Sequence, residues 1–304
     1  MKRRILITGS NGLLGQKLVN LLSIEDEFEI IALSRGENRN QTAKNYTYYN
    51  IDITSAEEIT QLINNIKPHY IINSAAMTNV DECEREKAAC DLINVEAVGT
   101  LVSCAKKNNS HLIHISTDFI FDGEHGPYKE DDEPNPLSHY GLSKLKSEEL
   151  IMRSEINYTI LRTILVFGIV DNMPGNNIVV WIKDALENKR EITMVDDQYR
   201  MPTFVDDLAY ACLLSIQNNA YGVFHISSSE LLSIYEMALQ IADAFDLDTS
   251  FIKRISTSQL NQVAKRPSKT GFDLEKSKEI LNFPSLPFKN RLQVFKNQLI
   301  TLGI

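Results

Sequence analysis

The N-terminal stretch joins a short apolar run to an amphipathic segment through a turn that contains three glycines. Residues 4–8 have the β-branched composition of a buried strand, Gly9, Gly12 and Gly15 follow, and the next apolar residues recur at helical spacing. Glycine permits a tight turn and lets backbone amides approach a diphosphate, while a helix N-terminus adds unpaired N–H groups and partial positive charge. The spacing is GxxGxxG rather than GxGxxG, so the stretch matches the mechanism of a dinucleotide-binding turn but not its exact motif.

Five further apolar runs follow, and helical stretches separate most of them. The predicted strands are residues 4–8, 28–33, 46–50, 70–74, 111–116 and 158–162. Such alternation is typical of βαβ units and predicts an α/β fold, a Rossmann-type doubly wound parallel sheet. A helix is expected from about Ser55 to Ile66, because an N-cap with two acids precedes it and Pro68 follows it.

The alternation loosens after Arg162. Helices are expected around residues 178–188, 233–245 and 288–302. We therefore expect a dinucleotide-binding domain over residues 1–166 and a smaller, mainly substrate-binding α+β region over 167–304. Part of the chain near 203–228 is expected to return to the first domain.

Composition excludes several classes of protein. Forty acids against 31 bases give a net charge of −9, and no Lys/Arg block is long enough to follow a nucleic-acid backbone. The start of the chain lacks the apolar core of a signal peptide, and no apolar run approaches the roughly 18 to 20 residues of a membrane span. The four cysteines form no CxxC pair and are interpreted as reduced, inward-packing thiols. We expect a cytoplasmic globular protein without nucleic-acid or membrane partners.

The end of the second predicted strand carries a cofactor signal. A site for NAD places an acid there to bind the ribose hydroxyls, whereas a site for NADP places a base near the 2′-phosphate. The chain has Ser34 and Arg35 at this point, which favours NADP(H), and Glu37 nearby leaves NAD(H) open.

The strongest catalytic signal is the pair Tyr140 and Lys144, four residues apart and therefore on one face of a helix. A phenol titrates near pH 10, so an adjacent ammonium that stabilises the phenolate would suit it to proton transfer near neutrality. The pair follows residues 116–123, which end a predicted strand where open α/β sheets bind ligands. Thr117 in that segment can offer a hydroxyl to a carbonyl oxygen.

No metal site is expected. His111 and His114 are three apart in a strand and so face opposite sides of the sheet, and no HExxH motif or Cys/His cluster with ligand spacing occurs. A GxSxG elbow is also absent from the sequence, which weighs against an α/β hydrolase.

Six segments in this order resemble the extended short-chain dehydrogenases/reductases, and within them the dTDP-4-dehydrorhamnose reductase family. They are TGSNGLLG at 8–15, NSAAMTNVDECE at 73–84, ISTDFIFDG at 115–123, YGLSK at 140–144, VDDQYRMPTFVDDLA at 195–209 and RPSKTGFDLEK at 266–276. The resemblance covers almost the whole chain.

The resemblance implies Thr117, Tyr140 and Lys144 as the catalytic set. The implied cofactor-binding residues are Gly9, Asn11, Gly12, Leu13, Leu14, Ser34, Arg35, Asp52, Ile53, Ala75, Ala76, Thr78, Asn94, Ser116, Tyr140 and Lys144. The implied substrate-binding residues are Asp118, Phe119, Gln198 and Arg266. Two departures stand out: Leu165 replaces a tryptophan that packs on the sugar in many members, and Gly12-Leu13-Leu14-Gly15 replaces the common GQLG.

The expected activity is an NADP(H)-dependent oxidoreductase of carbohydrate biosynthesis that reduces a 4-keto nucleotide sugar. Two alternatives stay open: an epimerase or dehydratase of the same fold, and a non-catalytic NADP-binding regulatory subunit such as that of methionine adenosyltransferase. A homodimer is expected only because dimers are common among soluble enzymes.

Overall fold

A computed structural model describes residues 2–173, 177–260 and 262–302 of the chain. The strands are β1 Arg3–Thr8, β2 Phe28–Ser34, β3 Tyr46–Asn50, β4 Tyr70–Asn73, β5 His111–Thr117, β6 Tyr158–Thr163, β7 Val166–Phe167, β8 Ile192–Val195, β9 Tyr199–Arg200, β10 Thr203–Phe204, β11 Gly222–Ile226, β12 Leu232–Ser233 and β13 Ile252–Ile255. The helices are α1 Leu13–Leu22, α2 Ala56–Ile66, α3 Val80–Arg85, α4 Lys87–Asp91, α5 Ala97–Asn108, α6 His139–Met152, α7 Ile178–Glu187, α8 Val205–Gln217, α9 Ile234–Ala244, α10 Glu275–Leu281 and α11 Phe288–Leu302.

Seven of these strands form one parallel sheet in the order β11-β6-β5-β4-β1-β2-β3. The chain winds outward in one direction from β1 to β3 and in the other from β4 to β11. In such doubly wound sheets the carboxyl ends of the two central strands open a crevice, here between β1 and β4. This topology confirms the predicted Rossmann-type fold.

The six predicted strands are confirmed, each to within one residue at either end. The predicted helix after Thr54 is also confirmed, with Ser55 as its N-cap and Lys67 ending it in the left-handed region just before Pro68. Glu57 and Glu58 lie in its first turn, where carboxylates interact favourably with the helix dipole.

Helices cover both faces of the sheet, and the side chains of each strand alternate between these two faces. Ile5 and Ile7 of β1 pack with Leu18 of α1 and Leu208 of α8. Leu6 between them belongs to the opposite layer, formed with α2, α5 and α6. The first half of the chain and α8 thus form a three-layer scaffold.

A second apolar cluster joins α7, α9 and α11 with β8 and β13. Phe167, Phe288 and Phe295 meet in it edge to face, with ring centroids 5.2 and 6.1 Å from that of Phe167. The segment with α8 and β11 packs instead on the seven-stranded sheet. The division of the chain at residues 166 and 167 stays a prediction.

One helix among the described residues, Lys87–Asn108, is long and apolar enough to cross a membrane by length and composition alone. Val98, Leu101 and Ala105 on it are buried in the layer that covers the sheet. Its apolar residues are therefore used in the core of this fold.

Candidate active site

The glycine turn lies at the carboxyl end of β1 and leads directly into α1. Gly9 has φ +65°, and a Cβ on it would lie 2.8 Å from the backbone nitrogen of Ala75. A Cβ on Gly15 would lie 2.2 Å from the carbonyl oxygen of Gly9. Gly15 therefore lets α1 approach the turn itself.

Polar groups at and beside this turn have no hydrogen-bond partner among the described protein groups. Gly12 is the N-cap of α1 and has no side chain to bind the first N–H groups, which begin at Leu13. Within the part of the chain that the structure describes, the buried Oγ of Ser10 has no partner, and neither does the buried Oγ of Ser116 at the end of β5. Free donors around a glycine cradle fit an anionic group such as a dinucleotide diphosphate.

Asn11 organises the loop after β2. Its Nδ2 donates to the carbonyl oxygens of Arg35 and Glu37 at 3.1 and 2.8 Å, and its Oδ1 accepts from the backbone of Arg39 at 2.9 Å. The Arg35 side chain is 73% exposed and its Nη1 lies 3.7 Å from Asp52 Oδ2. The guanidinium is thus free to meet an anion beside the turn.

The opposite wall of the crevice is the segment after β4. The backbone of Ala75 donates to Thr8 Oγ1 at 3.3 Å, Ala76 is half-buried and Thr78 is exposed. Asn94 holds this wall from behind, accepting from Met77 N at 2.9 Å and donating to Met77 O at 3.0 Å. The Asn94 amide is occupied by protein groups, namely the backbone of Met77 and the hydroxyl of Ser143.

Thr117, Tyr140 and Lys144 come together at the carboxyl end of β5. Tyr140 and Lys144 lie on α6, and Ser138 caps that helix by accepting from Gly141 N at 3.2 Å. A Cβ on Gly141 would lie 2.1 Å from the carbonyl oxygen of Phe119, so α6 packs directly on the segment after β5. This contact aligns the helix with the predicted catalytic threonine.

The pKa values of Tyr140 and Lys144 differ from the expectation that an adjacent ammonium stabilises the phenolate. Burial raises the pKa of Tyr140, the Thr117 hydroxyl opposes this as a hydrogen-bond partner, and the Asp118 carboxylate adds to the rise. Burial lowers the pKa of Lys144 to about 8, against a smaller opposing effect of Glu148. The expected lowering of the Tyr140 pKa by Lys144 is absent among the described groups, because the Lys144 Nζ lies 2.9 Å from His114 Nε2 instead.

Asp118 lies at the same strand end, and both oxygens of its carboxylate accept hydrogen bonds from other residues of the chain. One oxygen accepts from Thr117 Oγ1 at 3.1 Å, and the other accepts from Thr270 Oγ1. Arg200 Nε is 3.7 Å from that second oxygen, while burial raises the Asp118 pKa despite this cation. The Arg200 guanidinium also lies over the Phe119 ring, 5.7 Å from its centroid.

The other two predicted substrate residues also have partners within the chain. Gln198 Nε2 donates to Thr257 Oγ1 at 3.0 Å, and Arg266 binds the Asp81 carboxylate through both terminal nitrogens at 3.2 and 2.8 Å. Leu165 is half-buried with φ +41°, a conformation that costs a branched residue energy and that clusters at functional sites. Sequence reasoning missed Arg200, Thr270 and Asp81, which pair with residues distant along the chain.

The histidines and cysteines hold structural positions. His111 contacts Thr159 Oγ1 at 2.8 Å on one side of β5, and His114 points to the other side, as predicted. All four cysteines are free and buried. Among the described residues, no group of three or more His, Cys, Asp or Glu side chains is placed to hold a metal ion.

A doubly wound sheet with a glycine turn, a strand-end threonine and a Tyr-x-x-x-Lys helix defines an extended short-chain dehydrogenase/reductase fold. A family model described as RmlD substrate binding domain matches residues 3–300. The chain belongs to this family.

Two of the relatives at 33% identity carry different names. Methionine adenosyltransferase 2 subunit beta of Danio rerio is 33% identical over 297 residues, which are 96% of this chain and 89% of that protein. The dTDP-4-dehydrorhamnose reductase of Aggregatibacter actinomycetemcomitans is 33% identical over 286 residues, 90% of this chain and 91% of that enzyme. A crystal structure of dTDP-4-dehydrorhamnose reductase from Bacillus anthracis str. Ames in complex with NADP matches with a TM-score of 0.86 and 29% identity, covering 98% of this chain and 100% of that one.

Proposed function

We propose that this protein is an NADP(H)-dependent reductase of a 4-keto nucleotide sugar. The observation that carries the proposal is that Tyr140 contacts Thr117 of β5, with Lys144 of the same helix against His114 of that strand, beside a glycine turn that has unused donors. The dTDP-4-dehydrorhamnose reductases among the relatives, one of them crystallised with NADP, support the same reaction class.

The residues around the crevice fit a dinucleotide. Gly9 and Gly12 with the first amides of α1 would receive the diphosphate, and Arg35 would meet a 2′-phosphate at the adenosine end. The family resemblance adds Asp52 and Ile53 near the adenine. When bound, NADPH supplies the hydride that reduces the keto carbon.

The chain's own part in the reaction is to manage a proton and a developing negative charge. Tyr140 donates its phenolic proton to the carbonyl oxygen as that oxygen becomes an alcohol, and Thr117 donates a hydrogen bond to the same oxygen. The phenol holds its proton at neutral pH and is in the form that an acid needs, while burial raises its pKa and so makes that proton harder to release. Lys144 would hold the nicotinamide ribose with its ammonium, as the family resemblance implies.

Removal of the phenolic hydroxyl tests this role. We expect Tyr140→Phe to lower kcat with NADPH and a 4-keto nucleotide sugar by about 10² or more, because the proton donor is lost while the ring still packs. Loss of NADPH absorbance across a panel of such sugars measures it. Tyr210→Phe, which alters an exposed tyrosine of α8, is the matched control. Wild-type turnover in Tyr140→Phe would overturn the assignment.

A regulatory subunit is the second candidate, because relatives named methionine adenosyltransferase 2 subunit beta match the chain over nearly its whole length. It predicts tight NADPH binding without oxidation and co-purification with a methionine adenosyltransferase. An epimerase or dehydratase instead predicts conversion of the sugar without net loss of NADPH. A cytoplasmic location and a homodimer remain predictions.

A further inference from the structure

Three polar residues form a row across the centre of the sheet. Thr8 of β1 is the register partner of Asn73 of β4, and Asn73 is the register partner of His114 of β5. The row ends on both sides at apolar residues, because Leu33 lies beside Thr8 and Ile160 beside His114. Register partners of a parallel sheet project to the same face, so the three side chains point together toward one helical layer.

The row is buried, with exposed fractions of 0% for Thr8, 2% for Asn73 and 0% for His114. Burying polar groups costs free energy unless they are hydrogen-bonded. Thr8 Oγ1 donates to Asn73 Oδ1 at 2.6 Å, and the Asn73 amide nitrogen lies 3.1 Å from His114 Nδ1. The sheet therefore contains a connected polar chain where apolar side chains would pack at lower cost.

The chain of contacts ends at Lys144. His114 Nε2 lies 2.9 Å from Lys144 Nζ, and the Lys144 residue is only 2% exposed. Ser147 Oγ, 3.2 Å from the same His114 nitrogen, donates its proton to the Lys144 carbonyl oxygen at 2.7 Å. The Lys144 ammonium is thus the group left to donate to His114 Nε2.

The hydrogen-bond donors and acceptors along the row couple the tautomer of His114 to the charge of Lys144. An ammonium has only donors, so His114 Nε2 accepts from it, the ring proton lies on Nδ1, and Asn73 turns its amide oxygen toward that nitrogen. A neutral amine can accept, so the ring proton then lies on Nε2 and Asn73 donates to Nδ1. The two arrangements use the same heavy-atom positions, since imidazole tautomers and amide orientations are assigned from their hydrogen bonds.

We infer that the row Thr8–Asn73–His114 positions Lys144, with His114 Nε2 as the acceptor that keeps the Lys144 ammonium charged and aimed at the crevice. This inference rests on the proposed function for the role of Lys144 toward the nicotinamide ribose. It makes His114 a positioning residue, because its contact is with Lys144 and not with substrate. It also connects Lys144 to the residue directly before the glycine turn.

The row acts on Lys144 together with several other groups. Tyr140 and Glu148 lie on the same helix, Cys90 belongs to α4, and His114 belongs to β5. Glu148 is already engaged by Arg162, whose Nη2 donates to it at 2.8 Å. His114 is therefore the direct hydrogen-bond acceptor for Nζ, and its removal should let the pKa of Lys144 fall further.

The first experiment measures the dissociation constant of NADPH by fluorescence between pH 6 and 10. In wild type, binding should weaken above about pH 8, where Lys144 loses its proton. In His114→Leu the pH at which binding weakens should move down by about one unit, and affinity at pH 8 should fall by about 5-fold, because a hydrogen bond to a charged group is lost. His114→Gln, which keeps an acceptor, should restore much of the wild-type profile.

The matched control is His111→Leu. His111 lies on the same strand, is also buried, and points to the opposite face of the sheet toward Thr159. It should leave the pH profile of NADPH binding unchanged. If His114→Leu gives the profile of His111→Leu, the inference is wrong. Thermal unfolding of each variant checks that it is folded, and a measurement of the His114 tautomer in the unsubstituted protein decides the matter if His114→Leu is not.

The second experiment follows the tautomer of His114 by ¹⁵N NMR of labelled histidine in the protein without cofactor. The ring proton should move from Nδ1 to Nε2 as Lys144 loses its proton, and this transition should be absent in Lys144→Met. A tautomer that stays the same through the Lys144 titration overturns the inference.

The two experiments also separate this inference from the proposed function. If no keto sugar is reduced but the His114 tautomer and the NADPH pH profile respond as described, the reductase proposal fails and the positioning role stands. If reduction proceeds and His114→Leu binds NADPH with the wild-type pH profile, the positioning role fails and the reductase proposal stands.

Discussion

Lys144 combines a predicted place in the active site with an energetic cost of burial. Its side chain is inside the protein, and burial holds its pKa at about 8 instead of 10.5. An ammonium in such a place loses most of its hydration, which one imidazole nitrogen replaces only in part. Residues that serve a site often reduce the stability of the fold in this way.

The pKa of Lys144 sets a pH dependence of stability. Because the folded pKa is lowered, the unfolded chain binds more protons between pH 8 and 10.5, and the free energy of unfolding therefore rises with pH in that window. We expect Lys144→Met to be more stable than wild type at pH 7, by up to about 3 kcal/mol, with the gain shrinking toward pH 10.

Urea unfolding at pH 7 and pH 10 measures the effect of Lys144→Met, and Lys107→Met, at an exposed position of α5, is the control. A Lys144→Met protein that is less stable than wild type at pH 7 would contradict the expectation. It would mean that the His114 contact outweighs the cost of burial.

Single residues could be predicted from the sequence where their chemistry depends on local spacing. Tyr140 and Lys144 are four apart on one helix, and the glycines of the first turn are spaced three residues apart. The partners of His114 and Arg200 could not be found in this way. His114 lies 30 residues from Lys144 along the chain, and Arg200 lies 82 residues from Asp118. Only the sheet register and the folding of the chain bring each pair together.

Among the elements, the helical run from Lys87 to Asn108 contacts the candidate site through Asn94. One π-helical turn, Leu92–Glu96, interrupts it, and Asn94 lies in that turn. Such turns shift the residues that follow by a fraction of a helical turn and frequently occur at functional sites. Here the turn contains an amide that contacts both Met77 of the crevice wall and Ser143 of α6.

Asn94 therefore links three elements. We expect Asn94→Ala to lower the free energy of unfolding by about 1 to 3 kcal/mol and to weaken NADPH binding, because the Met77 backbone and Ser143 lose their partner. Urea unfolding and fluorescence titration measure the two effects. Asn108→Ala, at the end of the same helix run, should affect stability alone. Unchanged NADPH affinity in Asn94→Ala would show that the wall holds its shape without this amide.

Element boundaries were predictable where composition changes sharply, as at Ser55 and Pro68 around α2. The π-helical turn was not predictable, because Leu92–Glu96 continues the helical spacing of its neighbours. The short strands β7, β9, β10 and β12 were also missed. Each has two residues, too few to show a period-two pattern.

At the scale of the whole molecule, a buried cluster fastens the end of β5 to the chain beyond residue 199. Arg200 Nη1 donates to the carbonyl oxygen of Tyr199 and Nη2 to that of Pro267, both at 2.7 Å, while Nε faces Asp118. Thr270 donates to the same Asp118 carboxylate. Asp118, which is predicted to meet a substrate, is thus also a residue that holds the two parts of the chain in contact.

We expect Arg200→Met to lower the free energy of unfolding by about 3 kcal/mol or more, because it leaves a buried carboxylate without its cation. The double variant Asp118→Asn/Arg200→Met should recover part of that loss. Arg190→Met, which removes an exposed pair with Asp184, should change stability by less than about 1 kcal/mol. Urea unfolding compares the three. Equal effects of Arg200→Met and Arg190→Met would contradict the expectation.

The order of the seven-stranded sheet could be expected from the alternation of strands and helices, since right-handed crossovers restrict the topologies available. The pairs Asp81–Arg266 and Asp118–Arg200 could not, because charged residues read from a sequence have many candidate partners. Their positions depend on how the two halves of the chain meet.

The register of β1, β4 and β5 limits how this chain can change in length. A one-residue deletion inside β4 ahead of Asn73 would turn Asn73 to the other face and bring Ser74 between Thr8 and His114. The turn around Ser23 or the segment around Glu133 is exposed or partly exposed and carries no such constraint. Insertions and deletions should therefore accumulate in those connections, while these three strands keep a fixed length.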